Sequence, residues 1–205
     1  FFWGLTATQI SFFVFAQFIS SAAAVMLATP MSRWLGKRNA AILAKTLAFT
    51  IGVAPIVLRL LGLFPDNGHP ALLPILFVQA MISVTFASIA AVLHSSMIAD
   101  VVEETELRNG RRSEGLFFAA SIFVAKAVSG VGIFASSMVL LAIGFPDHAQ
   151  PGEVSEQVVR NLGLVYIPAL ALTYLAAIGA MAFFRITRER HEANLARLAD
   201  IANQT

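Results

Sequence analysis

The chain of 205 residues is too apolar for a soluble domain, since 58% of its residues are hydrophobic, 13% are charged and its mean hydropathy is +0.76. A soluble domain keeps about a quarter of its residues charged, so this composition indicates an integral membrane protein and excludes soluble enzyme classes. The net charge of +2 rests on short basic clusters, which indicate membrane topology and not a nucleic-acid surface. Without cysteine, the chain has no disulfide, thiolate nucleophile or cysteine-ligated metal site.

Five charge-poor runs are long enough for a helix to cross a bilayer core of about 30 Å. They predict spans at residues 8–29, 40–63, 71–99, 115–145 and 162–184, within a membrane region that covers residues 1–186. Residues 187–205 form a tail with Arg and Glu at helical spacing, expected to be solvated or to lie on the membrane surface. Because the chain opens without Met inside an apolar stretch, we expect a fragment.

The basic residues predict the orientation of these spans, because cytoplasmic loops collect Lys and Arg near the span ends. Eleven of the fourteen fall on one side, at Arg33, Lys37, Arg38, Lys45, Arg108, Arg111, Arg112, Arg185, Arg188, Arg190 and Arg197. The opposite side holds Arg59 and Arg160 among the acids Asp66, Asp147, Glu153 and Glu156. We therefore expect residue 1 outside, the tail in the cytoplasm, and the protein in the plasma (inner) membrane.

Lys126 is the one basic residue predicted near the middle of the membrane. It follows Glu114 by twelve residues, or about 18 Å at 1.5 Å per residue. An ammonium group there costs at least about 2.5 kcal/mol, so we expect it to serve a substrate, cation or proton site, or else a structural salt bridge. Ile122 lies on the same helix face and Ser121 beside it, although a packing role is the simpler interpretation of the hydroxyl.

Polar residues follow one another along the third predicted span, where a lipid-facing helix would avoid them. Gln79 and Ser83 lie at membrane depth, and we expect both to line one cavity with Lys126. His94 lies nearer the inner surface, where a substrate contact, a proton relay and a hydrogen-bonded structural role are all open.

Residues 100–114, between the third and fourth spans, carry eight charges in fifteen residues. Acids precede bases at spacings that allow pairing on one helical turn or across the Asn109–Gly110 turn. We expect an ordered cytoplasmic gate in which an acid meets an arginine, with a solvated loop as the alternative. Its residues are Asp100, Glu103, Glu106, Arg108, Arg111, Arg112 and Glu114.

Enzyme motifs are absent from the sequence. His191-Glu192 opens like a zinc-protease helix, but Leu195 stands where the second histidine would be needed. No phosphate-binding loop, nucleophile elbow or clustering of metal ligands is recognisable. We predict no catalytic residues, no metal site and no cofactor.

The segment from Met97 to Phe145 resembles the glycoside-pentoside-hexuronide:cation symporters, the melibiose-permease-like branch of the major facilitator superfamily. The resemblance is carried by Met-Ile-Ala-Asp100-Val-Val-Glu103, by Leu107-Arg-Asn-Gly-Arg-Arg-Ser-Glu114-Gly115, and by the apolar helix that bears Lys126. It implies an all-α membrane helix bundle of twelve spans, of which this chain has spans eight to twelve. It also implies alternating access between two six-helix halves, with Lys126 near the ion and substrate sites and the charged segment as inner gate.

We therefore expect a secondary active transporter that couples uptake of a small polar solute, a sugar or glycoside, to Na⁺ or H⁺. The resemblance places the ion-binding acids mainly in the N-terminal six-helix half, which is absent here. The stretch from Ala90 to Met97 has no aromatic ring for sugar stacking, which leaves a lysolipid or other anionic amphiphile as an alternative substrate. A non-transporting scaffold subunit and an intramembrane enzyme are the remaining alternatives. The expected partners are membrane lipid, a small-molecule substrate and the missing half, and not nucleic acid.

Overall fold

The computed structural model describes residues 1–111, 113–146, 149 and 154–202, and it is entirely helical apart from turns. The helices are α1 (Ala7–Leu35), α2 (Lys37–Leu60), α3 (Leu72–Asn109), α4 (Glu114–Ala142), α5 (Glu156–Ala182) and α6 (Arg188–Ala202). The first five are long and apolar enough to cross a membrane. The predicted all-α membrane bundle with five spans is confirmed.

Two helices run well beyond the predicted spans. The sequence placed the end of the first span before Pro30, but α1 continues through this proline to Leu35. Proline removes one backbone hydrogen bond without ending the helix, which membrane helices tolerate because neighbouring groups satisfy the freed carbonyl. The third helix carries on from the apolar span through the charged segment and ends at Gly110, whose φ of 65° favours glycine.

Small residues form the core where α1, α2 and α3 meet. Alanines on α1 and α2 leave room for the backbones to approach, and the larger Ile89 and Leu93 of α3 fill the space between them. The buried cluster consists of Ala24, Ala28, Ala40, Ala41, Ala44, Ile89, Ala90, Leu93 and Met97. Close packing of three helices therefore sets the frame on which the polar groups are placed.

The last two spans pack less extensively than the first three. Helix α5 lies against α2, where a side chain at Gly163 would meet Phe2 and Leu60 at 3.0 and 3.5 Å. Helix α4 contacts α3, and none of its residues is buried. Its surface, which includes Lys126, is left open by the other described helices.

The sixth helix is not a detached tail, because it packs against α3. Thr187 precedes it, and the Thr187 hydroxyl accepts a hydrogen bond from the Arg190 backbone N–H at 3.3 Å. Asn194, one turn after His191, is buried with 6% of its surface exposed. We call the end of the bundle where the α1–α2 turn, the end of α3 and α6 meet the basic end.

Candidate functional site

A buried carboxylate lies at the centre of the basic end. Both oxygens of Asp100, on α3, accept hydrogen bonds from Lys37 Nζ, at 2.6 and 2.8 Å. The Asp100 side chain is 3% exposed and that of Lys37, the first residue of α2, is 27% exposed. Burying a carboxylate costs free energy unless the group is paired and hydrogen-bonded. The ammonium group of Lys37 pairs with both oxygens of Asp100 and so offsets this cost.

The tail helix brings a histidine to the same carboxylate. His191 Nδ1 lies 3.3 Å from Asp100 Oδ1 and 2.9 Å from Glu103 Oε2, so the imidazole stands between two acids of α3. One turn of α3 therefore bonds α2 through Lys37 and lies against the imidazole of α6, whose Nδ1 atom has no hydrogen-bond partner among the described residues.

Glu104 makes a second connection between α3 and the tail helix. Its Oε1 atom accepts hydrogen bonds from Arg108 and from Arg190, each at 2.6 Å. Arg108 is one turn along the same helix, whereas Arg190 belongs to α6. Residues 100–109 of the charged segment are thus an ordered part of α3 and not a loose loop.

The partners of the predicted gate residues differ from expectation. Among the described residues, Asp100 and Glu103 pair with Lys37 and His191, and not with an arginine of their own segment. Arg108 pairs with Glu104, which the sequence reading had left outside the gate. Glu106 is partly buried on α3, Arg111 and Glu114 are exposed, and Arg112 lies outside the described residues.

Three potential metal ligands come together here, whereas no clustering of metal ligands is recognisable in the sequence. Ligand atoms of Asp100, Glu103 and His191 lie within 4.8 Å of one another. However, Lys37 bonds both oxygens of Asp100, and a metal ion would have to displace this ammonium group. The arrangement is therefore a closed ionic network better suited to joining helices than to holding a cation.

A cavity of about 680 Å³ lies beside this network, between α2, α3, α4 and α5. Its polar lining includes two predicted site residues, His94 and Ser121, together with Lys45. Lys45 Nζ lies 4.8 Å from the centre of the Tyr174 ring, a cation–π contact. The other lining residues are apolar: Ala90, Ala91, Met97, Ile98, Val101, Phe117, Ala177, Ala180, Met181 and Phe184.

Gln79 and Ser83 do not form the cavity expected with Lys126. Gln79 donates a hydrogen bond to the carbonyl of Ile51, and Ser83 donates one to that of Ala48, each at 2.9 Å. Both acceptors belong to α2, so the two polar groups join α3 to α2. In this chain they act as interhelical contacts, and the expectation of a shared cavity is corrected.

Lys126 and Ile122 are both exposed on α4, and neither lines the cavity that Ser121 reaches. Since α4 buries no residue against the described helices, the chain itself supplies no enclosure for the ammonium group. The coupling role of Lys126 stays a prediction.

Besides Glu104, the structure adds four polar residues that are not among the predicted site residues: Lys37, Lys45, Arg190 and His191. In the sequence, the first three mark the cytoplasmic side, and His191 belongs to an incomplete protease motif. Their partners are far away in the sequence, so spacing alone gave no signal. These residues become part of the site because α2 and α6 pack against α3.

The fold defines a polytopic integral membrane protein, and comparison with known families specifies it further. The family described as "MFS/sugar transport protein" matches residues 1–188. The chain therefore belongs to this family of sugar transporters, and not to an enzyme class. No solved structure matches the chain at a significant level.

Two curated relatives are symporters or transporters by name. An uncharacterized symporter, sll1374, from Synechocystis sp. (strain ATCC 27184 / PCC 6803 / Kazusa) is 29% identical over 127 residues, which is 60% of this chain and 23% of the relative. The isoprimeverose transporter of Lactiplantibacillus pentosus is 28% identical over 184 residues, which is 89% of this chain and 35% of the relative. The chain spans about a third or less of the length of these relatives.

Proposed function

We propose that this chain forms the C-terminal half of an ion-coupled symporter that carries a sugar or glycoside by alternating access. Membership of the sugar transporter family supports this proposal, as do the names of the two relatives. The membrane half comprises residues 1–186, with spans eight to twelve of twelve, and residues 187–205 form the tail.

The observation that carries the proposal is the exposed helix α4. It buries no residue among the described helices, yet Lys126 lies near its middle. A lysine facing lipid at that depth costs at least about 2.5 kcal/mol, so a further polar surface must cover it. We infer that the N-terminal six-helix half supplies this surface, and that substrate and coupling ion bind between the two halves.

The basic end lies in the cytoplasm in this proposal, as the positive-inside rule requires for a protein of the plasma (inner) membrane. The tail would then be cytoplasmic, and the network around Asp100 would hold the inner ends of α2, α3 and α6 together. The more exposed contact of this end, from Arg190 to Glu104, can be broken and remade when the two halves rock, because exposed pairs contribute only about 0 to 1 kcal/mol each.

Lys126 is assigned to ion or substrate coupling. When no ion is bound, its charge would neutralise acids of the N-terminal half, and Na⁺ or H⁺ would compete with it. No cofactor is required for this cycle.

The test is Lys126→Met in the full-length carrier, reconstituted in vesicles with an ion gradient and isoprimeverose as the probe. We expect normal membrane insertion and loss of accumulation, because removing the charge favours insertion but abolishes coupling. Arg160→Gln is the control, since it removes one charge at the opposite end of the bundle. Undiminished accumulation by Lys126→Met would overturn the coupling role, and absence of any uptake by the wild type would favour a scaffold.

One observation favours a second candidate substrate, an anionic amphiphile such as a lysolipid. The cavity at Lys45 and His94 has one cationic side chain and a largely apolar lining, which suits an acyl chain with a charged head better than a sugar. Competition assays distinguish the two: a lysophospholipid, and not isoprimeverose, should then be imported, and Lys45→Gln should impair that import selectively.

A further inference from the structure

A second cavity, of about 640 Å³, opens at the basic end between the α1–α2 turn and the connection from α5 to α6. It is separate from the cavity at Lys45 and His94, because Phe184 is the one residue that lines both. Three arginines line it: Arg33 at the end of α1, Arg38 at the start of α2, and Arg185 after α5. Parts of the chain far apart in sequence thus bring three arginines to one cavity.

These arginines have no acidic partner within the described part of the chain. The other charges that line the cavity are largely paired, since Lys37 bonds Asp100 and Arg188 bonds Glu192 at 2.8 Å. Glu189 is the remaining acid of the lining. Three unpaired cations against one acid leave the cavity with a surplus of positive charge.

The surroundings of the cavity are those of a membrane interface. Trp34 lines it and is 88% exposed, as is typical of tryptophans that lie at the level of lipid headgroups. Met26 and Leu27, about two turns earlier on α1, are exposed apolar residues of the span. A ligand here meets arginines in the cavity and lies about two turns from an exposed apolar stretch of α1.

We propose that this cavity binds the phosphate of an anionic phospholipid of the inner leaflet. Guanidinium groups present paired N–H donors that match phosphate oxygens, and basic pockets at the cytoplasmic ends of membrane helices bind anionic headgroups. The acyl chains would lie along the exposed face of α1. The proposal uses the orientation proposed above, but it needs no transport activity.

The test uses the full-length carrier in neutral detergent, with native mass spectrometry to measure retention of short-chain phosphatidylglycerol and phosphatidylcholine. We expect the wild type to prefer phosphatidylglycerol by at least about tenfold, since each basic residue near an anionic headgroup contributes about 1 kcal/mol. The variant Arg33→Gln/Arg38→Gln/Arg185→Gln should lose this preference. Arg160→Gln/Arg197→Gln, which removes charges elsewhere, should keep it.

Two further measurements complete the test of this lipid site. The first uses the variant Arg33→Lys/Arg38→Lys/Arg185→Lys, which keeps the positive charges that orient the protein in the membrane. It should retain a reduced preference for phosphatidylglycerol. This variant controls for misinsertion, which could by itself abolish the preference in the glutamine variant. Excess inorganic phosphate should not displace the lipid, and full displacement would reassign the site to a soluble anion. An unchanged preference in the glutamine variant, or an equal loss in the control, would overturn the site. Uptake by the wild type tests the transport proposal separately.

Discussion

Lys37 Nζ lies 2.6 Å from Oδ1 and 2.8 Å from Oδ2 of Asp100, a carboxylate 63 residues away in the sequence and almost completely buried. This pair fixes the first turn of α2 against α3. The same carboxylate lies 3.3 Å from Nδ1 of His191, so the tail helix comes to the same point. Three helices of the basic end thereby meet at a single buried acid.

The first prediction concerns the strength of the Lys37–Asp100 pair. Lys37→Met should lower the free energy of unfolding by roughly 1 to 3 kcal/mol, because it leaves a buried carboxylate without its main partner. Asp100→Asn should cost less, since Lys37 can reach water. The double variant Lys37→Met/Asp100→Asn should recover part of the loss, because it removes both charges. Denaturant titration of the purified full-length carrier measures all three.

Glu192→Gln is the control for this double-mutant cycle of Lys37 and Asp100. Its partner Arg188 is 69% exposed, so the change should alter the free energy of unfolding by less than about 1 kcal/mol. Strictly additive effects of the Lys37 and Asp100 substitutions would contradict the proposed coupling.

The second prediction concerns the docking of the tail helix. Arg190→Ala/His191→Ala removes the contacts to Glu104, Asp100 and Glu103, so α6 should separate from α3 more often. Backbone amides of α6 should then exchange with deuterium up to about fivefold faster per lost pair, since each is worth up to about 1 kcal/mol. Arg197→Ala, an exposed position on the same helix, should leave exchange unchanged. Equal exchange in all three proteins would mean that these contacts do not hold the tail.

The third prediction separates packing from coupling at Gln79 and Ser83. Gln79→Leu and Ser83→Ala should each lower the free energy of unfolding by about 0.6 kcal/mol, the average for a hydrogen bond between membrane helices. Ser136→Ala is the control, because that hydroxyl bonds the Gly132 carbonyl of its own helix. Uptake per folded molecule should stay at the wild-type rate in both variants. A lower rate without loss of stability would restore the coupling role that the sequence predicted.

The fourth prediction concerns pH and the start of α6. Hydrogen bonds from its own backbone N–H and from the Thr187 hydroxyl hold the pKa of Glu189 below its ordinary value of 4.5. The ionised carboxylate therefore stabilises the first turn of α6 above pH 4.5, and this stabilisation is lost as the pH falls through the lower folded pKa. Titration of the Glu189 carboxyl carbon by NMR should show this, and Thr187→Val should raise the pKa toward 4.5. An unchanged pKa in that variant would contradict the role of the hydroxyl.

The sequence alone determined the five spans and the all-helical class. Each span is a local property, since about 20 consecutive apolar residues are sufficient to cross the bilayer whatever their neighbours are. Pairs within one helix, such as Glu104 and Arg108, also follow from spacing, because residues four apart lie on the same face. The helix ends were less predictable, as the continuation of α1 through Pro30 illustrates, because hydropathy reports where lipid ends and not where the helix ends.

The tertiary structure decided which polar groups meet. The spans are apolar on most sides, so hydropathy does not determine how far each helix is rotated about its axis. That rotation is set by the packing of small residues such as Ala44 and Ala90, and it turns Gln79 and Ser83 toward α2. The meeting of Lys37, Asp100 and His191 depends on three helices approaching at once, which no spacing within the sequence encodes.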